Sequence, residues 1–452
     1  MRAAGAEGVR CEGFSGYEPE VMRFRTPRDW DGIHRVLDGR AEVNGQSLNS
    51  HNGIWRRIVL TRRRTEVDSQ LGAVVRIART RGVYGRAVPV ERRGVLDVTH
   101  FTVIGAGAIG GAIGAHLARA GYPVLFVDGS REHVDAIHGA GIHLEGVVDF
   151  TVRAPAVPPE GLADALGERT PDVVLLAVKA QHTAAALEPA ARLMGEASVV
   201  VSLQNGLNER VIAARVGAAR TIGSFVNWGG DYLEPGRLLF SSRTGEFYLG
   251  ELDGRMTPRL EQLGTIFREV FLPHTTLTDN IWGYLWGKLG YGSMLFAAAT
   301  VDDTAADVLA NPRYRPMLAN IAGEVVRVAD AEGVRCEGFS GYEPNVFRFA
   351  APRDWAGIYR TFDERVAVNR RSLKPRSGIW RDLAVRHRPT EVDHQPGAVI
   401  EVARTHGLRV PLHERIVPMI HELEDGRRAR TPANLEELCE LNAGAYPAET
   451  PP

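Results

Sequence analysis

Of the 54 basic residues in this 452-residue chain only three are lysines: Lys179, Lys288 and Lys374. Arginine stays protonated at any working pH, whereas a poorly solvated lysine can give up its proton. The three lysines are therefore the first candidates for proton transfer. Lys288 lies in a stretch of helical period, Asp279–Thr300, on the face that carries Ile281 and Leu285. Partial desolvation there would lower its pKa and make it a better acid; a lysine reaching to water from a helix edge is the plainer reading. Lys179 and Asn205 follow two continuous apolar runs, DVVLLAV and SVVVSL, at the strand ends where α/β sheets bind ligands. Turn capping would also account for them. Lys374, in SLKPRSG, reads as a solvated loop cation. Glu391 falls in RPTEVD, where Pro389 and Thr390 mark a helix start and the helix dipole would favour an ionised carboxylate.

A second constellation suits a dinucleotide. Gly105-Ala106-Gly107-Ala108-Ile109-Gly110 follows a short β-rich run, His100–Ile104, and opens an Ala-rich helical stretch. Glycines at this spacing allow the tight turn, backbone approach to a pyrophosphate and close helix–strand packing. Asp128 ends the next strand, where a carboxylate can accept hydrogen bonds from the adenosine ribose. That acid points to NADH because it would repel a 2′-phosphate, although Ser130 and Arg131 stand close enough to receive one.

The elements that must hold these residues alternate between strand and helix. Strands are expected at Pro123–Val127, Asp172–Val178 and Ser198–Leu203, with helices at Thr183–Met194 and Asn208–Ala214. Thr221–Val226, Arg237–Phe240 and Glu246–Gly250 should extend the same sheet, in part antiparallel. From Asp279 the pattern turns helical, over 279–300, 311–332, 354–369 and 390–405. The fold class is thus an α/β Rossmann-type doubly wound sheet followed by an all-α domain. The expected domains are 95–277 for nucleotide binding, 278–430 for the helical substrate domain and 431–452 as a tail. Pro396 breaks the last helical stretch and should kink or restart it.

Residues 1–94 are a partial copy of the helical domain. EGVRCEGFSGYEP at 7–19 recurs unchanged at 332–344, and roughly 50 of about 83 positions from Arg2 to Tyr84 match their partners at that offset. This is one long duplication, unlike a short-period solenoid. The copy keeps Glu66 and Asp68 but has no equivalent of Lys288, so it is not a second active site. Its arginines outnumber its acids, and it reads as a remnant or a start-site artefact in preference to a functional module.

Bulk properties exclude several function classes. A net charge of −1 gives no general attraction to nucleic acid or membrane, and no apolar run is long enough for a membrane helix. Three scattered cysteines support neither a disulfide framework nor a thiolate metal cage, and fourteen histidines include no HExxH. No metal and a cytoplasmic location are expected.

GAGAIGG, AVKAxxT, SLQNGLN, LWGKL and RPTEVD occur in the order seen in ketopantoate reductases, and residues 98–425 resemble that PanE/ApbA family. The resemblance implies a Rossmann domain joined to an all-α C-terminal domain like that of 6-phosphogluconate dehydrogenase, with substrate in the cleft between. It implies reduction of a 2-oxo acid, most typically 2-dehydropantoate to pantoate on the way to coenzyme A, with NADPH as the family's usual cofactor. Lys288 would be the general acid and Glu391 would hold the substrate hydroxyl. Lys179 and Asn205 would lie beside nicotinamide and substrate, and Ser377 would meet the substrate carboxylate. Where the family carries asparagines after the lysine, this sequence has Gly292 and Phe296, which suggests a more apolar 2-oxo acid. The alternatives are a related hydroxyacid or opine-type dehydrogenase and a non-catalytic dinucleotide-binding regulator; a homodimer is the expected assembly.

Overall fold

The computed structural model describes residues 99–241, 245–371 and 376–447. The N-terminal copy and Lys374 lie outside the described residues. Among the described residues twelve strands form two sheets. They are β1 (Phe101–Ile104), β2 (Val124–Val127), β3 (Ile142–Gly146), β4 (Phe150–Val152), β5 (Ala156–Val157) and β6 (Val173–Leu176), then β7 (Val199–Ser202), β8 (Thr221–Asn227), β9 (Gly230–Glu234), β10 (Arg237–Phe240), β11 (Glu246–Glu251) and β12 (Thr275–Leu277).

The main sheet runs β12-β11-β8-β7-β6-β1-β2-β5. Strands β1, β2, β6 and β7 pair parallel and are buried on both faces, which is why their sequences read as unbroken apolar runs. The strand order reverses at β1, which lies between β2 and β6, and a crevice opens beyond the carboxyl ends at such a switch point. The expected antiparallel extension is present, because β11 runs antiparallel to β8. Arg237–Phe240 departs from expectation: it leaves the main sheet and pairs with β3 and β9 in a second sheet ordered β4-β3-β10-β9. Alternation along the chain does not say which sheet a strand joins, and β3 offers β10 a parallel partner.

The helical domain is built round Ile281–Ala298 and Arg315–Ala331, both buried over most of their length. A polar knot locks the first of these in place. Glu324 accepts from the backbone N–H groups of Leu412 and His413, at 2.9 and 3.1 Å. The His413 ring lies between Glu324, at 2.6 Å, and the Ser293 hydroxyl, at 3.0 Å. All three side chains are fully buried, so the set must be mutually satisfied, and it fixes the rotation of the helix that carries Lys288.

Two expectations change here. The segment 390–405 does not begin as a helix at Thr390: Val392–His394 forms a single 3₁₀ turn and the α-helix runs Pro396–Thr405. Pro396 occupies the first helical position, where its missing N–H costs nothing. The supposed tail also contains a helix, Ala433–Ala445, whose Leu435 and Leu438 enter the core.

Candidate active site

The glycine-rich loop fits a dinucleotide. Gly105 turns the chain at φ +91°, and a Cβ there would stand 2.9 Å from the Ala177 carbonyl carbon. A Cβ at Gly110 would meet the Ala177 methyl at 2.8 Å, so that residue lets the following helix, Gly110–Arg119, press against the sheet. Gly107 differs: a Cβ there would meet nothing within 4 Å, so its backbone faces open space. Ala108 and Ile109 carry the loop into the helix. Asp128 accepts from the N–H groups of Ala106 and Ser130, at 2.8 and 2.9 Å, which fixes its carboxylate against the loop. Ser130 caps the next helix and Arg131 pairs with Glu160 at 2.6 Å on the surface.

Lys179 and Glu391, 212 residues apart in sequence, meet across the cleft between the domains. Lys179 Nζ donates to Glu391 Oε2 at 3.0 Å and to Asp382 Oδ2 at 3.4 Å. The other Glu391 oxygen accepts from Ala180 N–H at 2.9 Å. Asp382 is buried, which opposes its charge, but Lys179, Arg386 and Arg388 together hold its carboxyl below the ordinary range.

Lys288 enters from the facing helix. Its Nζ donates to the Val226 carbonyl at 2.6 Å, at the carboxyl end of β8, and sits 5.4 Å from the Phe225 ring centre. Burial pushes the ammonium down to about 8, against the opposing pull of Glu391 and Glu209. Glu209 itself is 1% exposed, and neither of its carboxylate oxygens meets a hydrogen-bond partner among the described residues. Burial pushes its carboxyl up to about 7, while the nearby Ser202 hydroxyl, outside hydrogen-bond geometry, and the Lys288 ammonium offset part of the rise.

Lys179, Asn205, Lys288, Ser377 and Glu391 all line one cavity of about 240 Å³. Asn205 is exposed on the loop before the helix Asn208–Val216, and Ser377 caps the helix Gly378–Ala384 by accepting from Trp380 N–H at 3.1 Å. Gly292 and Phe296 line the same space. Sequence reasoning missed Asp382, Glu209 and Gln395. Of these, only Glu209 carried a usable signal, as an acid one residue beyond SLQNGLN.

Residues 101–254 match the family model "Ketopantoate reductase PanE/ApbA", and residues 280–424 match that of its C-terminal part. The chain belongs to the ketopantoate reductase family. The 2-dehydropantoate 2-reductase of Pyrococcus abyssi is 29% identical over 312 residues, covering 69% of this chain and 93% of that relative. That of Archaeoglobus fulgidus is 24% identical over 334 residues, covering 73% and 100%. Among solved structures, 2-dehydropantoate 2-reductase from Geobacter metallireducens superposes with a TM-score of 0.60 at 25% identity, covering 71% of this chain and 99% of that one. A D-mandelate dehydrogenase with NADH and anilino(oxo)acetate has a TM-score of 0.61 at 22% identity, covering 73% and 99%, and so shares the fold. As a ketopantoate reductase family member, this chain is an NAD(P)-dependent oxidoreductase acting on CH–OH groups. No described helix is long and apolar enough to cross a membrane.

Proposed function

We propose that the cleft reduces the keto carbon of a 2-oxo acid to the 2-hydroxy acid, as in the conversion of 2-dehydropantoate to pantoate that supplies coenzyme A synthesis. The observation that carries this is Lys288: a half-buried ammonium with a pKa brought to about 8, lining the same cavity as Lys179, Asn205 and Glu391. The bound dinucleotide supplies the hydride. Lys288 delivers a proton from Nζ to the oxygen that gains charge as hydride arrives, so ketone, hydride and proton balance to the alcohol. Its bond to Val226 aims Nζ and leaves two further N–H donors for substrate.

Glu391 keeps acceptor capacity beyond its bonds to Lys179 and Ala180 and can take the substrate's hydroxyl hydrogen. Lys179, gripped by two carboxylates, serves as an anchor near the nicotinamide and closes the cleft. The Ser377 hydroxyl accepts from Trp380 N–H, which leaves its own proton for the substrate carboxylate. Asn205 lies beside both ligands. Asp128 stands fixed at the strand end, where its charge suits the ribose hydroxyls and repels a 2′-phosphate, so this geometry favours NADH over the family's usual NADPH. A cytoplasmic homodimer completes the reading; a dimeric ketopantoate reductase from Staphylococcus aureus shares the fold.

Cofactor oxidation with ketopantoate and a panel of branched and aromatic 2-oxo acids, run with NADH and with NADPH, tests the reading. Turnover of at least one supports it. Tight cofactor binding with no turnover of any would instead support a dinucleotide-binding regulator.

A further inference from the structure

One wall of the cavity is built unlike the rest. Gly292 lies one helical turn beyond Lys288, so it presents no side chain where the helix faces the cleft. A Cβ placed there would meet a single atom within 4 Å, the side-chain oxygen of Gln395, at 3.3 Å. The stem of the same glutamine lies against the opposite domain, its Cγ 3.4 Å from a Cβ placed on Gly206. Gln395 therefore stretches from the loop after β7 to the helix that carries Lys288.

Its chemistry is out of keeping with plain packing. Gln395 is 8% exposed, yet its amide makes no hydrogen bond to any described residue. The amide atoms are not themselves sealed in, so they open onto the cavity rather than into packed side chains. Its backbone is pinned, because Gln395 N–H donates to the Glu391 carbonyl at 3.0 Å and Pro396 follows as the first helical residue. The amide thus lines the cavity with its bonding capacity unspent. Leu295, Phe296, Phe339 and Ile379 line the rest of this wall.

We propose that Gln395 is a substrate-contacting residue whose unspent amide hydrogen-bonds the substrate, and that the room beside Gly292 receives the apolar substituent of a branched or aromatic 2-oxo acid. The inference rests on the reductase reading above and names its substrate class. Rotation of the amide exchanges its nitrogen and oxygen, so Gln395 can donate to the carboxylate or oxo oxygen of the substrate. Each buried methylene adds roughly fourfold to binding, which is how an apolar wall ranks substrates.

The test compares ketopantoate, ketoisovalerate and phenylpyruvate on the wild-type enzyme, Gln395→Leu and Gly292→Asn. The wild type should show the higher kcat/KM with ketoisovalerate or phenylpyruvate. Gln395→Leu should raise KM for 2-oxo acids by about tenfold, with melting temperature and cofactor Kd unchanged. Gly292→Asn should lower the ratio of apolar substrate to ketopantoate by about tenfold or more. Should Gln395→Leu fail to fold, Gly292→Asn decides alone, since only one flexible side chain must give way for it. An unchanged KM in Gln395→Leu, a parallel loss on all substrates in Gly292→Asn, or a wild-type preference for ketopantoate overturns the inference and leaves the reductase reading standing. Absence of turnover with every 2-oxo acid overturns both.

Discussion

The two walls of the cleft are made in different ways. On the nucleotide side, recognition comes from backbone, and packing enforces it: Gly105 and Gly110 press against Ala177 and cannot accept a Cβ. On the substrate side, recognition comes from side chains on helices whose own packing is set elsewhere, by the knot of Glu324, His413 and Ser293. A backbone site tolerates little change because altering it disturbs the fold. A side-chain site can be altered one residue at a time, because each side chain is held by packing that lies outside the cavity.

The largest effect is expected at Lys288. Lys288→Ala should lower kcat by roughly 10²–10⁴-fold while leaving cofactor Kd near the wild-type value; an unchanged kcat would move the proton donor elsewhere. The contrast between packing and recognition is sharpened by two glycines. Gly110→Ala should cost about 1–3 kcal/mol of stability through overpacking, read as denaturant midpoint. Gly107→Ala should leave that midpoint alone and weaken only dinucleotide binding, because its Cβ enters open space. Equal destabilisation by both would remove the distinction.

A smaller effect concerns pH. The rate should fall above about pH 8 as Lys288 loses its proton. Glu209→Gln removes a negative charge that holds that proton, so the falling limb should shift to lower pH. The same variant tests the carboxylate's burial. Glu209 titrates near 7 when folded and near 4.5 in its ordinary state, so the folded protein binds the extra proton between those values. Stability from Glu209 is therefore full below about pH 4.5 and lost as pH rises through 7. Glu209→Gln should exceed the wild type by ~1–3 kcal/mol at pH 8 and match it at pH 4. A constant difference across that range would contradict the assignment. Smallest of all should be Arg131→Ala. Its exposed pair with Glu160 contributes little, so KM for NADH should stay within about twofold; a large rise for NADPH alone would show that Arg131 leaves Glu160 to meet a phosphate.

What could be read in the sequence was local. The loop glycines, Asp128 and Lys288 announce themselves through spacing, strand context and one helical face. Gln395 and Asp382 do not, because their meaning arises from partners far along the chain: Lys179 is 203 residues from Asp382, and Gly292 lies on a distant helix while Gln395 precedes the helix that starts at Pro396. The strand Arg237–Phe240 was visible, but its sheet was not, since pairing depends on the register that β3 offers. Pro396 was seen as a disturbance of a helix; its place at the helix start follows from the turn at Val392–His394, which no periodicity marks.

The contrast between the two cleft lysines carries over to covalent chemistry. Lys179 is ion-paired with two carboxylates, whereas Lys288 makes its one hydrogen bond to a carbonyl and, being desolvated, loses its proton near pH 8. An unprotonated amine is a nucleophile. With only three lysines in the chain, an acylating or aldehyde reagent used near that pH finds few competing amines. It should mark Lys288 first, and bound dinucleotide should shield it, so that a single mass increment reports on occupancy of the cleft.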